Sequence, residues 1–176
     1  MERWIAMAGK MLTEWKGDSY TFGFDVLEKA GEQAGKFGKR AILIAAELGE
    51  SWVSGFLQTS KNSLRAQGVE FEIIAGARPN APREDLYRLA LHIARTRPEV
   101  IVALGGGSTI DAAKAADVLA TFSPQEVQDI LQPPQAQVDS IDPYFGVGLV
   151  SKVKTGSGKR LIPLVALQTA ASSGAH

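Results

Sequence analysis

Between Glu99 and Ala116 the chain reads EVIVALGGGSTIDAAKAA: an apolar run, three consecutive glycines, then an alanine-rich stretch. Few local patterns restrict a fold as tightly. A buried strand that runs into flexible backbone and then into a helix is half of a βαβ unit, and such a unit places the turn at the carboxyl edge of a sheet. Three glycines let the chain turn sharply and bring its N–H groups close to a ligand without interference from Cβ atoms. The helix that follows points its positive end at the same spot, so the segment has the properties of a phosphate cradle. A plainer reading competes. Ser108 and Asp111 have the spacing of a capping box, the alanines are good helix formers, and Lys114 suits a solvated surface.

The surrounding pattern agrees with an α/β fold. Ala41–Ala46, Val69–Ala75, Val100–Leu104 and Leu161–Leu167 are short apolar runs rich in β-branched residues. Three of them are almost continuously apolar, as strands covered on both faces are, whereas Val69–Ala75 alternates and is expected nearer an edge. Between them lie helical spacings: Phe24, Leu27, Ala30 and Ala34; Val53, Phe56, Leu57 and Leu64; Leu86, Leu89, Ala90 and Ile93. Pro82 suits the first turn of the third helix and Gly68 the end of the second. The expectation is one domain over residues 1–176, a doubly wound, mostly parallel sheet with helices on both faces. From Ser123 to Lys159 the pattern is less regular. It suggests a short helix over Glu126–Leu131 ended by Pro133-Pro134, a strand or two around Phe145–Val153, and a turn at Thr155–Lys159.

Composition removes several function classes. With no cysteine, disulfides, thiolate metal sites and cysteine nucleophiles are excluded. Nineteen basic residues balance 19 acidic ones without a long run of either sign, which argues against a nucleic-acid surface or a polybasic membrane patch. Neither a signal-peptide pattern nor a long apolar run is present, so a cytoplasmic protein with no membrane partner is expected. The two common glycine motifs are not met. Position 110 is Ile rather than the third glycine of GxGxxG, and the Gly158-Lys159 pair lacks both the earlier glycine and the following hydroxyl of a Walker loop.

The segment GGGSTIDAAKA, residues 105–115, resembles the glycine loop of the iron-containing alcohol dehydrogenases and of the wider group that includes glycerol dehydrogenase and dehydroquinate synthase. Other segments fall in the same order: Phe22-Gly23, Gly38-Lys39-Arg40, Pro79-Asn80, and PLVALQTAASSGAH at residues 163–176, which is similar to PLIAIPTTAGTGSE. The resemblance implies a Rossmann-like domain that binds NAD or NADP. Gly105, Gly106, Gly107 and Ser108 would hold the pyrophosphate, with Asp111 and Lys114 near the nicotinamide end. Asn80 would approach the cofactor, and Thr169, Ser172 and Ser173 would lie on a loop that wraps it. Departures fall on that loop, where Gln168, Thr169 and Ala170 replace Pro-Thr-Thr. A further departure is Ala46, at the place where NAD-preferring relatives often carry a ribose-binding aspartate. This leans towards tolerance of NADP, unless Glu47 substitutes.

In such enzymes a metal, commonly iron, acts as Lewis acid on an alcohol, aldehyde or ketone while hydride passes to or from the nicotinamide. The ligands belong to a C-terminal helical domain that is not recognisable here. The chain's own histidines, His92 and His176, are far apart and lack clustered acids, so no metal ligand and no catalytic residue is expected within it. The expectation is therefore a cofactor-binding portion, inactive alone, whose exposed apolar surface favours homo-oligomers. The alternatives are a glycerol dehydrogenase or dehydroquinate synthase-like relative, or a non-catalytic nucleotide-binding module.

Overall fold

The computed structural model describes residues 2–122 and 158–170. Four strands, β1 (Arg40–Ala45), β2 (Glu70–Ala75), β3 (Val100–Gly105) and β4 (Leu164–Gln168), form one sheet in the order β2-β1-β3-β4. Every pairing is parallel. Five helices accompany them: α1 (Glu2–Lys16), α2 (Ala30–Gly35), α3 (Ser51–Ala66), α4 (Arg83–Thr96) and α5 (Gly107–Ala120). The four strands lie within about three residues of the apolar runs that predict them. The expected helix at 126–131 and strands around 145–153 lie outside the described residues.

Why the strands read as continuous apolar runs is visible in their packing. On β1, Ile42 and Ile44 face one way, and on β3 Ile101 and Ala103 do the same, joining Leu89, Ala90 and Ile93 of α4 and Ile110, Ala112, Ala113 and Ala116 of α5. The alternate residues, Ala41, Leu43, Ala45, Val100, Val102 and Leu104, meet Ala34 of α2 and Leu64 of α3 on the opposite side. Each fully buried Leu or Ile contributes about 1.5–3 kcal/mol of transfer free energy, so both layers are needed. The alanines of α5 do more than favour a helix, because their small size lets α5 press against the sheet and α4. β2 forms one edge of the described sheet and alternates in burial, as its sequence predicts.

Helix boundaries bring three corrections. Phe24 belongs to no helix and is 72% exposed, since the segment begins with a 3-10 turn at Val26–Lys29 before α2. Pro82 is the N-cap of α4 rather than its first helical residue. The N-terminal segment, for which no element is expected, forms α1, with Trp4, Met7, Met11 and Trp15 exposed along one side. Gly68 ends α3 as expected, with φ of +63°. None of the described helices is long and apolar enough to cross a membrane.

β4 is anchored from α5. The buried Asp117 carboxylate accepts the Ile162 N–H at 3.0 and 3.3 Å, just before the strand. Burial pushes this carboxyl up from 3.8 to about 6, against the opposing pull of the Ile162 N–H. A carboxyl whose folded-state pKa is raised stabilises the fold fully below 3.8, and that contribution disappears as pH rises through about 6. Asp117→Asn keeps an acceptor for Ile162 and cannot ionise. The variant should be more stable than the parent at pH 8 by about 1–2 kcal/mol and equal to it near pH 4. Urea melts at the two pH values check this, and an equal effect at both would refute it.

Candidate functional site

The chain leaves β1 through α3 towards β2, on one side of the sheet, and leaves β3 through α5 towards β4, on the other. The carboxyl ends of β1 and β3 therefore flank the switch point, where open α/β sheets bind ligands. Gly105 is the last residue of β3 and Gly106 the N-cap of α5, so the glycine loop lies at this point.

The glycines differ in why they are glycine. A Cβ on Gly105 would lie 2.9 Å from the Cβ atoms of both Ala46 and Thr109, so the position is closed by its own fold. Gly76, at the end of β2, is closed likewise: a Cβ there would meet Thr109 Oγ1 at 2.7 Å. Gly106 is the opposite case. Its φ of −84° and ψ of −173° are ordinary extended backbone, and a Cβ would meet nothing within 4 Å. Neither conformation nor packing requires glycine at 106. What its bareness provides is open space in front of a helix N-terminus that its N-cap has no side chain to cap.

Other expected site residues converge here. The Ser108 hydroxyl accepts the Asn80 N–H at 3.1 Å, which draws the loop after β2 across the start of α5. The Thr169 N–H donates to the Gly105 carbonyl at 3.1 Å, which brings the end of β4 to the same place. These contacts overturn the capping-box reading. The N-cap is Gly106, two residues earlier than that reading needs, and Ser108 is already helical and bonded to Asn80. Asp111 and Lys114 are exposed one turn further along α5, their side chains 4.0 Å apart. Ser172 and Ser173 lie outside the described residues. Asn80 adopts a left-handed conformation, φ +65°, which asparagine tolerates better than most residues.

A polar cluster beneath this loop is not apparent from the sequence. The buried carboxylate of Asp85 accepts the Arg78 backbone N–H at 2.8 Å and its Nε at 3.0 Å. Arg88 approaches the same carboxylate at 3.8 Å while donating to the carbonyls of Ala75 and Gly76. The Arg78 N–H and guanidinium hold the Asp85 carboxyl below the usual carboxylate range. The available signal was an acid in the first turn of α4, three residues after Pro82, with arginines on both sides. His92 lies on the outer part of α4, its ring beside Arg95 and Glu72, consistent with a packing role. Among the described residues, no three or more His, Asp or Glu side chains converge as metal ligands would.

The family model of the iron-containing alcohol dehydrogenases matches residues 18–176. The chain belongs to this family. The NADPH-dependent butanol dehydrogenase of Clostridium saccharobutylicum is 32% identical over 96 residues, which are 54% of this chain and 24% of that protein. NADH-dependent butanol dehydrogenase B of Clostridium acetobutylicum is 31% identical over 94 residues, 53% of this chain and 24% of that one. Among solved structures, an archaeal halo-thermophilic alcohol dehydrogenase from a Red Sea brine pool superposes with a TM-score of 0.56 at 27% identity, over 81% of this chain and 32% of its own. The matches thus cover about a quarter to a third of the relatives' lengths. The segment matched to the iron-containing alcohol dehydrogenase family includes Gly105–Gly107, whereas α1 precedes it.

Proposed function

We propose that this chain is the nicotinamide-cofactor portion of an alcohol dehydrogenase that passes hydride between NAD or NADP and an alcohol, aldehyde or ketone. The observation that carries the proposal is Gly106: extended, unobstructed, and set before α5 at the switch point. A pyrophosphate received there would meet the first N–H groups of α5 and its positive dipole end. In this reading Gly105 shapes the turn, Gly106, Gly107 and Ser108 hold the pyrophosphate, and Asn80 and Thr169 form the walls. Asp111 and Lys114 lie towards the nicotinamide, with Ser172 and Ser173 on the wrapping loop. Residues 1–176 act as one dinucleotide-binding unit.

The nicotinamide itself supplies the hydride chemistry, while the protein's share is orientation and charge. Among the described residues no group of His, Asp or Glu side chains fits an iron ion. In this reading the metal ligands and the substrate contacts belong to the part of the longer relatives that this chain does not span, and the chain alone is expected to be inactive. Alcohol or aldehyde substrates are supported by the butanol dehydrogenases it resembles. Self-association is supported by the exposed Trp4, Met11, Trp15 and Phe24. A cytoplasmic setting completes the reading.

Titration of the 176-residue chain with NADH and NADPH, followed by the fluorescence of the reduced nicotinamide, tests the reading. Saturable binding of either, displaced by ADP-ribose, is expected. Failure of both to bind would refute it.

A further inference from the structure

Arg78 occupies a distinctive place on the rim of this site. β1 ends at Ala45, and the next residue, Ala46, is buried and still donates its N–H to the Leu104 carbonyl at 2.8 Å. Its methyl offers no carboxylate to hold a ribose or to repel a phosphate. Glu47 follows in a left-handed conformation beyond the strand and is exposed. On the neighbouring strand, the Gly76 N–H donates to the Ala45 carbonyl at 2.7 Å, so the loop after β2 begins beside the end of β1. That loop finishes at Asn80, on the Ser108 hydroxyl. Residues 76–80 therefore run from the end of β1 to the glycine loop, and Arg78 is midway.

The arginine is held rather than loose. Asp85 fixes its backbone N–H and its Nε, and Glu84 touches Nη2 at 3.5 Å. Among the described residues these contacts use Nε and Nη2, which leaves Nη1 available to a ligand, and the side chain is 64% exposed. Arg78 and Arg88 face two carboxylates, Asp85 and Glu84, so what Arg78 offers a ligand is the open Nη1 rather than surplus charge. An arginine oriented by a buried acid is prepared for a phosphate, because much of its side-chain freedom has already been given up.

We infer that Arg78 binds the 2′-phosphate of NADPH and sets the chain's preference for the phosphorylated dinucleotide. This rests on the reading of the glycine loop as a pyrophosphate cradle. With the pyrophosphate over Gly106, the adenosine ribose lies towards the end of β1, where Ala46 leaves room and Arg78 supplies its open Nη1.

The test compares NADPH and NADH binding to the 176-residue chain and to the variants Arg78→Gln and Arg78→Lys. The parent should bind NADPH more tightly than NADH. Arg78→Gln should weaken NADPH by roughly 10–100-fold, the value of a charge-assisted contact, and leave NADH within about twofold. Arg78→Lys, which keeps the charge, should retain part of the preference. Because Asp85 loses a partner in the Gln variant, unchanged NADH binding also reports that the loop is intact. For the parent chain alone, 2′,5′-ADP should compete better than 5′-AMP. Equal loss of both dinucleotides in both variants, or equal competition by the two adenosine phosphates, would overturn the assignment to Arg78 alone. Weakened NADH binding in Glu47→Gln, with Arg78→Gln silent, would move the ribose contact to Glu47 and overturn it too. Failure of the parent to bind either dinucleotide would overturn the cradle reading and this one with it.

Discussion

Gly106→Asp should abolish dinucleotide binding while leaving the melting temperature of the chain almost unchanged. The two halves of that result come from the same geometry. A side chain at 106 meets no protein atom within 4 Å, and the backbone is in a region open to any residue, so the fold tolerates the change. The new carboxylate would occupy the space before α5 and put negative charge against the pyrophosphate. An aspartate at an N-cap is also compatible with the helix, and even adds an acceptor for its first N–H groups. Binding and thermal stability measured on one preparation would settle the matter. Intact binding would show that the space before α5 is not where the dinucleotide lies, and a large fall in melting temperature would show that glycine is there for the fold.

The second large effect concerns stability alone. Gly31, in α2, is buried against α3, and a Cβ there would lie 2.0 Å from the Ser63 carbonyl oxygen and 2.9 Å from the Leu64 nitrogen. The Gly31 N–H donates to Ser63 Oγ at 2.8 Å, and that hydroxyl donates in turn to the Glu28 carbonyl. Backbone meets backbone here, so no rotamer change can relieve an added methyl. Gly31→Ala should cost more than about 3 kcal/mol, beyond the usual range for overpacking, because α2 must separate from α3 and the Ser63 bonds must break. Gly55→Ala, on the other helix of the pair, is the contrast: nothing lies within 4 Å, and the change should stabilise by about 0.5–1 kcal/mol. Urea denaturation of the two variants checks both, and a mild Gly31→Ala would mean that α2 can slide on α3.

These cases show what kind of information a single sequence carries. The strands at Arg40–Ala45, Val100–Gly105 and Leu164–Gln168 are legible because burial on both faces forces unbroken apolar runs, and Glu70–Ala75 because one side of an edge strand is wetter. Gly105–Gly107 is legible as a loop between strand and helix. The role of each glycine is not, since the clash that demands Gly105 comes as much from Ala46, in a distant part of the chain, as from the nearby Thr109. The same holds for Asn80 meeting Ser108, for Arg78 and Asp85, and for Gly31 against Ser63. Each depends on register between elements that local pattern does not determine. Ser108 and Asp111 illustrate the reverse error, in which a correct local spacing suggested a cap that the observed helix start makes impossible. α1 is hard to read because Arg3, Gly9 and Lys10 interrupt its apolar pattern, although Trp4, Met7, Met11 and Trp15 recur at helical spacing along one side.

The position of β4 has a consequence for the order in which this molecule is assembled. β2 joins β1 across one intervening helix, with Arg40 opposite Glu70, whereas β3 joins β1 across α3, β2 and α4, with Ala41 opposite Val100. α5 ends at Ala120 and β4 begins at Leu164. Bringing the last strand to β3 closes a stretch of chain about as long as the one that β3 closes on β1, Ile101 to Leu164 against Ala41 to Val100, so loop entropy alone does not separate the two steps. What sets β4 apart is burial: it is only half-buried along its length, whereas β3 is buried throughout and β1 from Ala41 onward. The three-stranded core with α3, α4 and α5 can gather first, and the carboxylate of Asp117, already in place on α5, waits to catch Ile162. Thr169 reaches Gly105 only when that late strand has docked. In that order the glycine loop would fold before its second wall arrives, and amide exchange would find β4 opening more readily than β1 and β3.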